Sequence, residues 1–517
     1  MVNRPPYRMA AGIRLADNTA QAHRGPIITA TLPTCLHVPL QTALSETARS
    51  CVVPGQQVQA GQKIADASGP NTVAIHAPAA GTVLSIGKQA LAELAGQPGW
   101  CITIEVANPS SPYQATPLAA SDKPDHLSLQ TLGLVGLGGG GLPCHLRLHG
   151  VTPPIKTLII NGVECEPWLS CDDSLMREHA DEIVAGIRWL QTQLDTEHTT
   201  LAIGQDKPAA QAAFKAVLPA GIQLVSIPPL YPAGEDRQLA YRLTGQEIPA
   251  SQSLESFGIQ SFNVATVHAI GCAILRAETL TSRIVTIAGN VARPGNYRVA
   301  FGTPVSHLLQ LAGEQPHSTG YLVGNPMTGE TLATTDAVIG AGAQALIAMN
   351  QTLFPTTEPT RDCIRCGECA EVCPIRLQPM QLWHSLNQQA IDQAQTDGLF
   401  DCIECGACSY VCPSRIPLAS TFRVTKQEIV QATEAQQAAD KARQRHEFRQ
   451  FRLERDKQEK AERLAAKAAA KHEVATASSD PADAERAAKI KAAMERAAAK
   501  RAAAQAAATD KPAEPKS

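Results

Sequence analysis

The spacing of hydrophobic residues changes several times along the chain, and each change predicts a different kind of element. Over residues 50–87, short β-branched runs are interrupted by Gly55, Gly61 and Gly81, as in VVPGQQVQAGQKIA and IHAPAAGTVLSI. That punctuation predicts a small all-β unit with tight turns. From about 125 to 280, extended and helical runs alternate. Strand-like TLIING (157–162) is followed by Met176, Ala180, Ile183, Ile187, Leu190 and Leu194, whose steps of three and four predict one face of one helix. TLAIG (200–204), an alanine-rich helix over 207–218 and IQLVSIP (222–228) continue the alternation. Such βαβ order predicts a largely parallel sheet with ligands beyond the carboxyl ends of its strands.

RIVTIAGNVARPGNYRVAFGTP (283–304) predicts two strands around an Ala-Arg-Pro-Gly turn, after which Thr303-Pro304 caps a helix through Leu311. Residues 281–355 then form a separate α+β unit. Beyond about 426 the apolar stripe disappears. Residues 431–517 hold 29 alanines, 19 Lys/Arg and 14 Asp/Glu, so this segment carries +5 while the rest carries −8. High helix propensity without an apolar stripe predicts a solvated, partly helical tail, or else a basic strip that meets a partner or anionic lipid. Ser478-Ser479-Asp480-Pro481 should break it, with Asp480 as an N-cap and Pro481 opening the next helix.

Composition narrows the classes. A net charge of −3 argues against nucleic acid as a partner. The best candidate span, AVIGAGAQALIAM (337–349), is too short to cross a bilayer, and MVNRPPYRMAAGIRL lacks the apolar run of a secretion signal. A reducing, cytoplasmic compartment is the expectation, and there 15 cysteines point to metal ligation rather than disulfides. Cys35, Cys51, Cys101, Cys144, Cys165, Cys171 and Cys272 follow no ligand spacing and read as small buried residues.

The other eight lie in CIRCGECAEVCP (363–374) and CIECGACSYVCP (402–413). Thiolates suit zinc, copper(I) and iron–sulfur clusters, so the spacing decides. A zinc site needs two CxxC pairs that close on one ion. Here three cysteines fall within seven residues, and a fourth follows directly before proline. This is the bacterial ferredoxin run, in which the fourth cysteine ligates the other cluster. Cys363, Cys366, Cys369 and Cys412 are therefore expected to hold one [4Fe–4S] cluster, and Cys402, Cys405, Cys408 and Cys373 the second. Gly367 and Gly406 let backbone approach the sulfides, and Ile364, Ile403, Val372 and Val411 are expected to exclude water.

A second signal is GLVGLGGGGLPCHLRL (133–148). It reads either as a flexible turn or as a cradle of backbone N–H groups for phosphate, with Arg147 as a nearby cation. NGVECEP (161–167) follows at a strand end, with Glu164 and Glu166 on one side of an extended segment. They read either as a solvated strand end or as acceptors toward a flavin ribityl chain or a nicotinamide ribose.

The 50–87 pattern resembles the biotinyl/lipoyl barrel-sandwich fold, although no lysine occurs between Lys63 and Lys88 to carry a prosthetic arm. GLGGGGLP (136–143), NGVECEP, AGEDRQL (233–239) and NVAT (263–266) resemble, in order and spacing, the flavin- and NADH-binding subunit of respiratory complex I. With the twin ferredoxin motifs, the chain over roughly 8–425 resembles the RnfC (RsxC) family, peripheral subunits of Rnf electron-transport complexes. The resemblance implies a multidomain α/β and α+β architecture. A barrel-sandwich hybrid domain spans 1–124, a Rossmann-like FMN/NADH domain 125–280 and a β-grasp (SLBB) domain 281–355. A 2[4Fe–4S] ferredoxin-type domain spans 356–425, and a low-complexity helical or disordered tail 426–517. It implies that Gly136, Gly138, Asn161, Glu164, Asn263 and Thr266 surround FMN, and that Gly234, Glu235 and Asp236 border the flavin/nucleotide cleft.

The family loop reads GxGGAGFP, then Thr or Ser, with Lys three further on. Here Gly140, Leu142, Cys144 and Arg147 take those places, and Arg147 keeps the charge with a different fork geometry. The implied function is that of an ion-translocating oxidoreductase subunit that passes electrons between NAD(H), FMN and the clusters. It would lie on the cytoplasmic face of a bacterial inner membrane, coupled to ion movement through membrane subunits, with a ferredoxin or flavodoxin reached through the complex. The rival reading is an iron–sulfur docking adaptor without flavin.

Overall fold

The computed structural model describes residues 3–16, 25–115, 128–148, 153–355, 359–476 and 481–509. The chain divides into two compact units, 1–426 and 427–517. The first unit begins with two small antiparallel sheets. One runs in the order Gln57–Val58, Gly81–Ala90, Pro98–Val106, Cys35–Pro39; the other joins Arg49–Ser50, Lys63–Asp66 and Ile75–His76. Leu36, Val38, Ile64, Val83, Ile102 and Ile104 fill the space between them. Lys63 is held by Asp66 at 2.7 Å, so it is no carrier arm.

The central sheet has four strands in the spatial order Ile222–Ile227, His198–Gly204, Thr157–Gly162, Ile259–Asn263, all parallel. Alternate residues serve opposite faces. Leu158, Ile160, Leu201, Ile203 and Phe262 join one core, and Ile159, Ala202, Val225, Ile227 and Ile259 join the other. Both faces are buried, as a parallel sheet requires. Helices Ala180–Leu194 and Val264–Arg276 cover the first face. They approach so closely that a Cβ on Gly271 would meet the Glu182 carbonyl oxygen, and one on Gly186 would stand 2.2 Å from that of Val267. The strand order reverses at Thr157–Gly162, which opens a crevice between its carboxyl end and that of Ile259–Asn263.

The third body is a six-stranded mixed sheet containing Ser282–Gly289, Gly295–Ala300 and Ala345–Asn350. Its edge is completed by Ile28–Thr29, in parallel with Tyr297 and Arg298. Short helices over Glu368–Glu371, Pro379–Asn387, Ile391–Thr396 and Ala407–Val411 then frame two cysteine loops.

Three expectations need correction. The single helix expected across Met176–Leu194 is two, Cys171–Glu178 and Ala180–Leu194, because His179 adopts φ −129° and ψ 36°. The apolar face survives the break: Met176, Ala180, Ile183, Ile187 and Leu190 are all buried. Thr303 does not cap Val305–Ala312, since its hydroxyl donates to the Ala300 carbonyl instead. Cys51 is exposed and Cys35 and Cys165 are half-buried, so only four of the seven scattered cysteines are buried.

The tail forms helices Leu418–Thr476 and Pro481–Thr509, with exposed Phe448, Phe451 and Leu464. Asp480, the expected N-cap, lies outside the described residues. Only the first turns of the long helix are packed: Leu418 and Phe422 are 2% and 1% exposed, and Lys426 is bound to Glu404 at 2.7 Å. Deleting residues 431–517 is therefore expected to leave the calorimetric unfolding midpoint of the first unit unchanged. Phe422→Ala is expected to cost ~3–5 kcal/mol by denaturant unfolding.

Candidate functional site

The crevice is built where the first parallel strand ends. Glu164 leaves that strand in the left-handed region at φ +39°, which turns its side chain inward. Its carboxylate oxygens accept the backbone N–H groups of Asp172 (2.8 Å) and Asp173 (3.0 Å), at the start of helix Cys171–Glu178. Lys207, 5% exposed, donates from Nζ to the Glu164 carbonyl at 2.8 Å and to Asp206 at 2.9 Å. Burial, reinforced by the nearby Asp172 carboxylate and opposed by Lys207, pushes the Glu164 carboxyl up to about 8. Burial also raises Glu166 and Asp172. For Lys207, burial acts downward, but Glu164 and Asp206 outweigh it and raise the ammonium.

The fourth strand ends at Asn263, which caps helix Val264–Arg276 by accepting from Ala265 N–H at 2.8 Å. Its amide donates to Asp172 at 2.6 Å. One turn on, the Thr266 hydroxyl accepts from Leu137 N–H at 2.9 Å and so fastens the glycine loop to this helix. Gly138 packs against Asn263, where a Cβ would stand 3.1 Å from the Asn263 Cβ. Gly139 and Gly141 take φ +109° and +69°, conformations that glycine adopts without strain. The N–H groups of Gly138, Gly139 and Gly140 have no acceptor among the described residues, and Gly138 and Gly140 are exposed. That is the donor chemistry an anionic phosphate needs.

Asn161 donates to the Gly234 carbonyl at 2.8 Å and tethers the AGED turn to the strand. Glu235 caps helix Asp236–Thr244 by accepting from Gln238 N–H at 2.9 Å. Asp236 accepts from Ser261 at 2.8 Å. Gly136, whose N–H bonds the Leu142 carbonyl at 2.8 Å, closes the base of the loop. Thus most residues expected at the crevice meet there, with three differences of role. Glu164 and Glu166 do not share one side of an extended segment, because the left-handed turn intervenes. Glu164 is neither solvated nor a free acceptor; it caps a helix. Arg147 is turned onto the Phe262 ring, 4.6 Å from its centroid, with Glu255 at 3.9 Å. Asp172, Asp173, Lys207 and Arg283 escaped sequence reasoning. Lys207 stands just beyond the second strand, and that position was its one signal.

Glu164, Cys171 and Asp172 bring ligand-type atoms within 4.8 Å of one another. The bonds just given already occupy both carboxylates, so hydrogen bonding accounts for the cluster without an ion.

The cysteine loops enclose two separate cavities. One, of about 570 Å³, is lined by Cys363, Cys366, Cys369 and Cys412. The other, of about 350 Å³, is lined by Cys373, Cys402, Cys405 and Cys408. The loops repeat a backbone pattern: Arg365 and Gly367 have positive φ, as do Glu404 and Gly406, and Arg376 and Arg415 follow suit. Backbone N–H groups of Arg365, Leu377 and Glu404 point at the sulfurs of Cys363, Cys373 and Cys402 at 3.3–3.4 Å. Such donors suit sulfurs carrying negative charge. Ile364 does not exclude water as expected; it is 68% exposed, because no described part of a neighbouring domain covers it.

A phosphate-type cradle on a parallel sheet, joined to two cavities of four thiols, defines an iron–sulfur flavoprotein of the electron-transferring class. Family comparisons agree. The RnfC barrel sandwich hybrid domain matches residues 7–108, the Nuo51 FMN-binding domain 129–271, the SLBB domain 284–313 and a 4Fe-4S dicluster domain 362–416. The RnfC subunit of the ion-translocating oxidoreductase complex from Yersinia enterocolitica is 38% identical over 454 residues, 86% of this chain and 65% of that protein. Its counterpart in Yersinia pestis bv. Antiqua is 37% identical, over 86% of this chain and 73% of that one. The chain belongs to the RnfC family of ion-translocating oxidoreductase complex subunits. It spans 65% of the length of the Yersinia enterocolitica relative. It carries an FMN-binding domain and a dicluster domain, and no helix among the described residues is long and apolar enough to cross a membrane.

Between about pH 4.5 and 8, an unfolded Glu164 is ionised while the folded one keeps its proton. Stability should therefore fall as pH rises through that window and level off above it. Glu164→Gln is expected to flatten the decline in urea unfolding.

Proposed function

We propose that the chain is a peripheral electron-transfer subunit of a membrane-bound Rnf-type complex, exchanging electrons with NAD(H). The observation that carries this reading is the presence, in one compact unit, of a phosphate-type crevice and two four-thiol cavities. FMN, when bound, exchanges a hydride with the nicotinamide and single electrons with [4Fe–4S] clusters.

The protein's part is to hold these groups. N–H groups of Gly138, Gly139 and Gly140 would take the flavin phosphate, with Gly136, Asn161, Asn263 and Thr266 shaping the crevice around it. Glu164 positions the crevice floor, and half-buried Glu166 is the carboxyl left to meet ribityl or ribose hydroxyls. Gly234, Glu235 and Asp236 form the rim on the nucleotide side. We assign Cys363, Cys366, Cys369 and Cys412 to one cluster and Cys402, Cys405, Cys408 and Cys373 to the other. The partners are membrane subunits that carry the ion path, at the cytoplasmic face of a bacterial inner membrane, with a ferredoxin or flavodoxin served through them. The boundaries 1–124, 125–280, 281–355, 356–425 and 426–517 belong to the same proposal.

One observation favours the adaptor reading. Arg147, the cation expected beside the glycine loop, is engaged by Phe262 and Glu255 instead. Anaerobic purification with flavin and iron analysis, followed by NADH-dependent dye reduction, separates the two. Cluster absorbance without flavin, even after reconstitution with FMN, would rule out the relay. Gly138→Val is expected to weaken FMN binding by ~10-fold or more in a fluorescence titration, about 1.4 kcal/mol. Cys412→Ala should alter the EPR signal of the Cys363/Cys366/Cys369 cluster and spare the other; the reverse pattern would exclude crossed ligation.

A further inference from the structure

The two cysteine motifs share a spacing but not an environment. Residues 364–368 of the first are all exposed, whereas Gly406, Ala407 and Cys408 of the second are buried. The difference comes from their neighbours. A Cβ on Gly406 would stand 2.4 Å from the Met327 carbonyl oxygen, so the second loop lies directly on the mixed sheet's Asn325–Gly329 turn. Ala407 packs with Ile13 and Tyr231 in a cluster that also takes in Cys165 and Cys405. Tyr231 is 4% exposed, and its hydroxyl donates to the Cys405 carbonyl at 2.6 Å. Cys165 directly follows Glu164, and its sulfur accepts the Gly234 N–H at 3.3 Å. One phenol therefore spans from the end of the first parallel strand to a cysteine of the second cavity. The first cavity is lined by no residue of the parallel-sheet domain.

We propose that Tyr231 is a positioning residue for the cluster of Cys373, Cys402, Cys405 and Cys408. Its hydroxyl holds the Cys405 loop against the crevice, and this makes that cluster the one that exchanges electrons with the flavin. The proposal rests on the crossed ligand sets assigned above. One electron moves in the step, lost from the reduced flavin and gained by the oxidised cluster, with no ligand exchanged at Cys405. An O–H directed at the carbonyl of a ligand residue brings its positive end toward the thiolates. That favours the more negative, reduced cluster and raises its potential. The exposed first motif is left as the exchange point for partners.

The test uses the full chain, purified anaerobically and reconstituted with iron and sulfide, with EPR-monitored redox titration as the readout. Tyr231→Phe keeps the ring and removes the hydroxyl. The midpoint potential of one cluster is expected to fall while that of the other stays, at unchanged iron content. Adding Tyr231→Phe to Cys412→Ala assigns the signal: the downward shift must persist where the second-motif cluster is the one complete four-thiolate site. A shift confined to the first-motif cluster, or no shift with both clusters present, overturns the proposal. Tyr231→Leu removes the ring as well and is expected to lose the second-motif cluster first; prior loss of the other overturns it too. A parent chain without two [4Fe–4S] signals would instead overturn the ligand assignment.

Discussion

A carboxylate withdrawn from water must be given hydrogen-bond donors, and Glu164 meets that need in a way that organises the molecule. Its oxygens bind the first N–H groups of helix Cys171–Glu178. From there, Asp172 accepts from Asn263, Asn263 caps the helix that contains Thr266, and Thr266 accepts from Leu137. Leu137 in turn gives its carbonyl to Arg283 of the mixed sheet at 3.1 Å. One chain of bonds thus ties the first strand, two helix starts, the glycine loop and a neighbouring domain. Most of its links are buried, where a missing partner costs more than at the surface.

The glycine loop departs from its family's pattern at four positions, yet it is clamped on several sides. Thr42 donates to the Gly141 carbonyl at 2.7 Å from the barrel-sandwich side. Arg283 and Thr266 pin both backbone groups of Leu137. The shape of the loop therefore depends on its surroundings as much as on its own residues, so replacing an aromatic by Leu142 does not by itself unmake the cradle. Pre-set backbone donors keep their value because no ordering cost falls at the moment of binding.

What could be read from the chain alone was whatever depends on short range. Strand and helix runs of the parallel sheet follow from periodicity, and the cysteine loops from spacing within a dozen residues. The break at His179 left no trace, since the apolar face continues through it. The left-handed turn at Glu164 was equally hidden: it is forced by the donors that wait at residues 172 and 173, and NGVECEP looks like an extended strand end without them. Arg147 was read as a cation for the loop because Phe262, its actual neighbour, lies more than a hundred residues away. The unequal burial of two near-identical motifs could not be read either, because it depends on Tyr231 and Met327.

Strand Ile28–Thr29 completes a sheet whose other members begin after the chain has run through the entire parallel-sheet domain. Asn3, likewise, exchanges backbone bonds with Leu224 and Ser226. During synthesis on the ribosome, the amino-terminal segment thus emerges long before its partners do. Until Gly295–Ala300 has left the exit tunnel, that strand edge has no match within its own chain. Assembly of the first unit is therefore a late event, gated by the arrival of the third body rather than completed domain by domain.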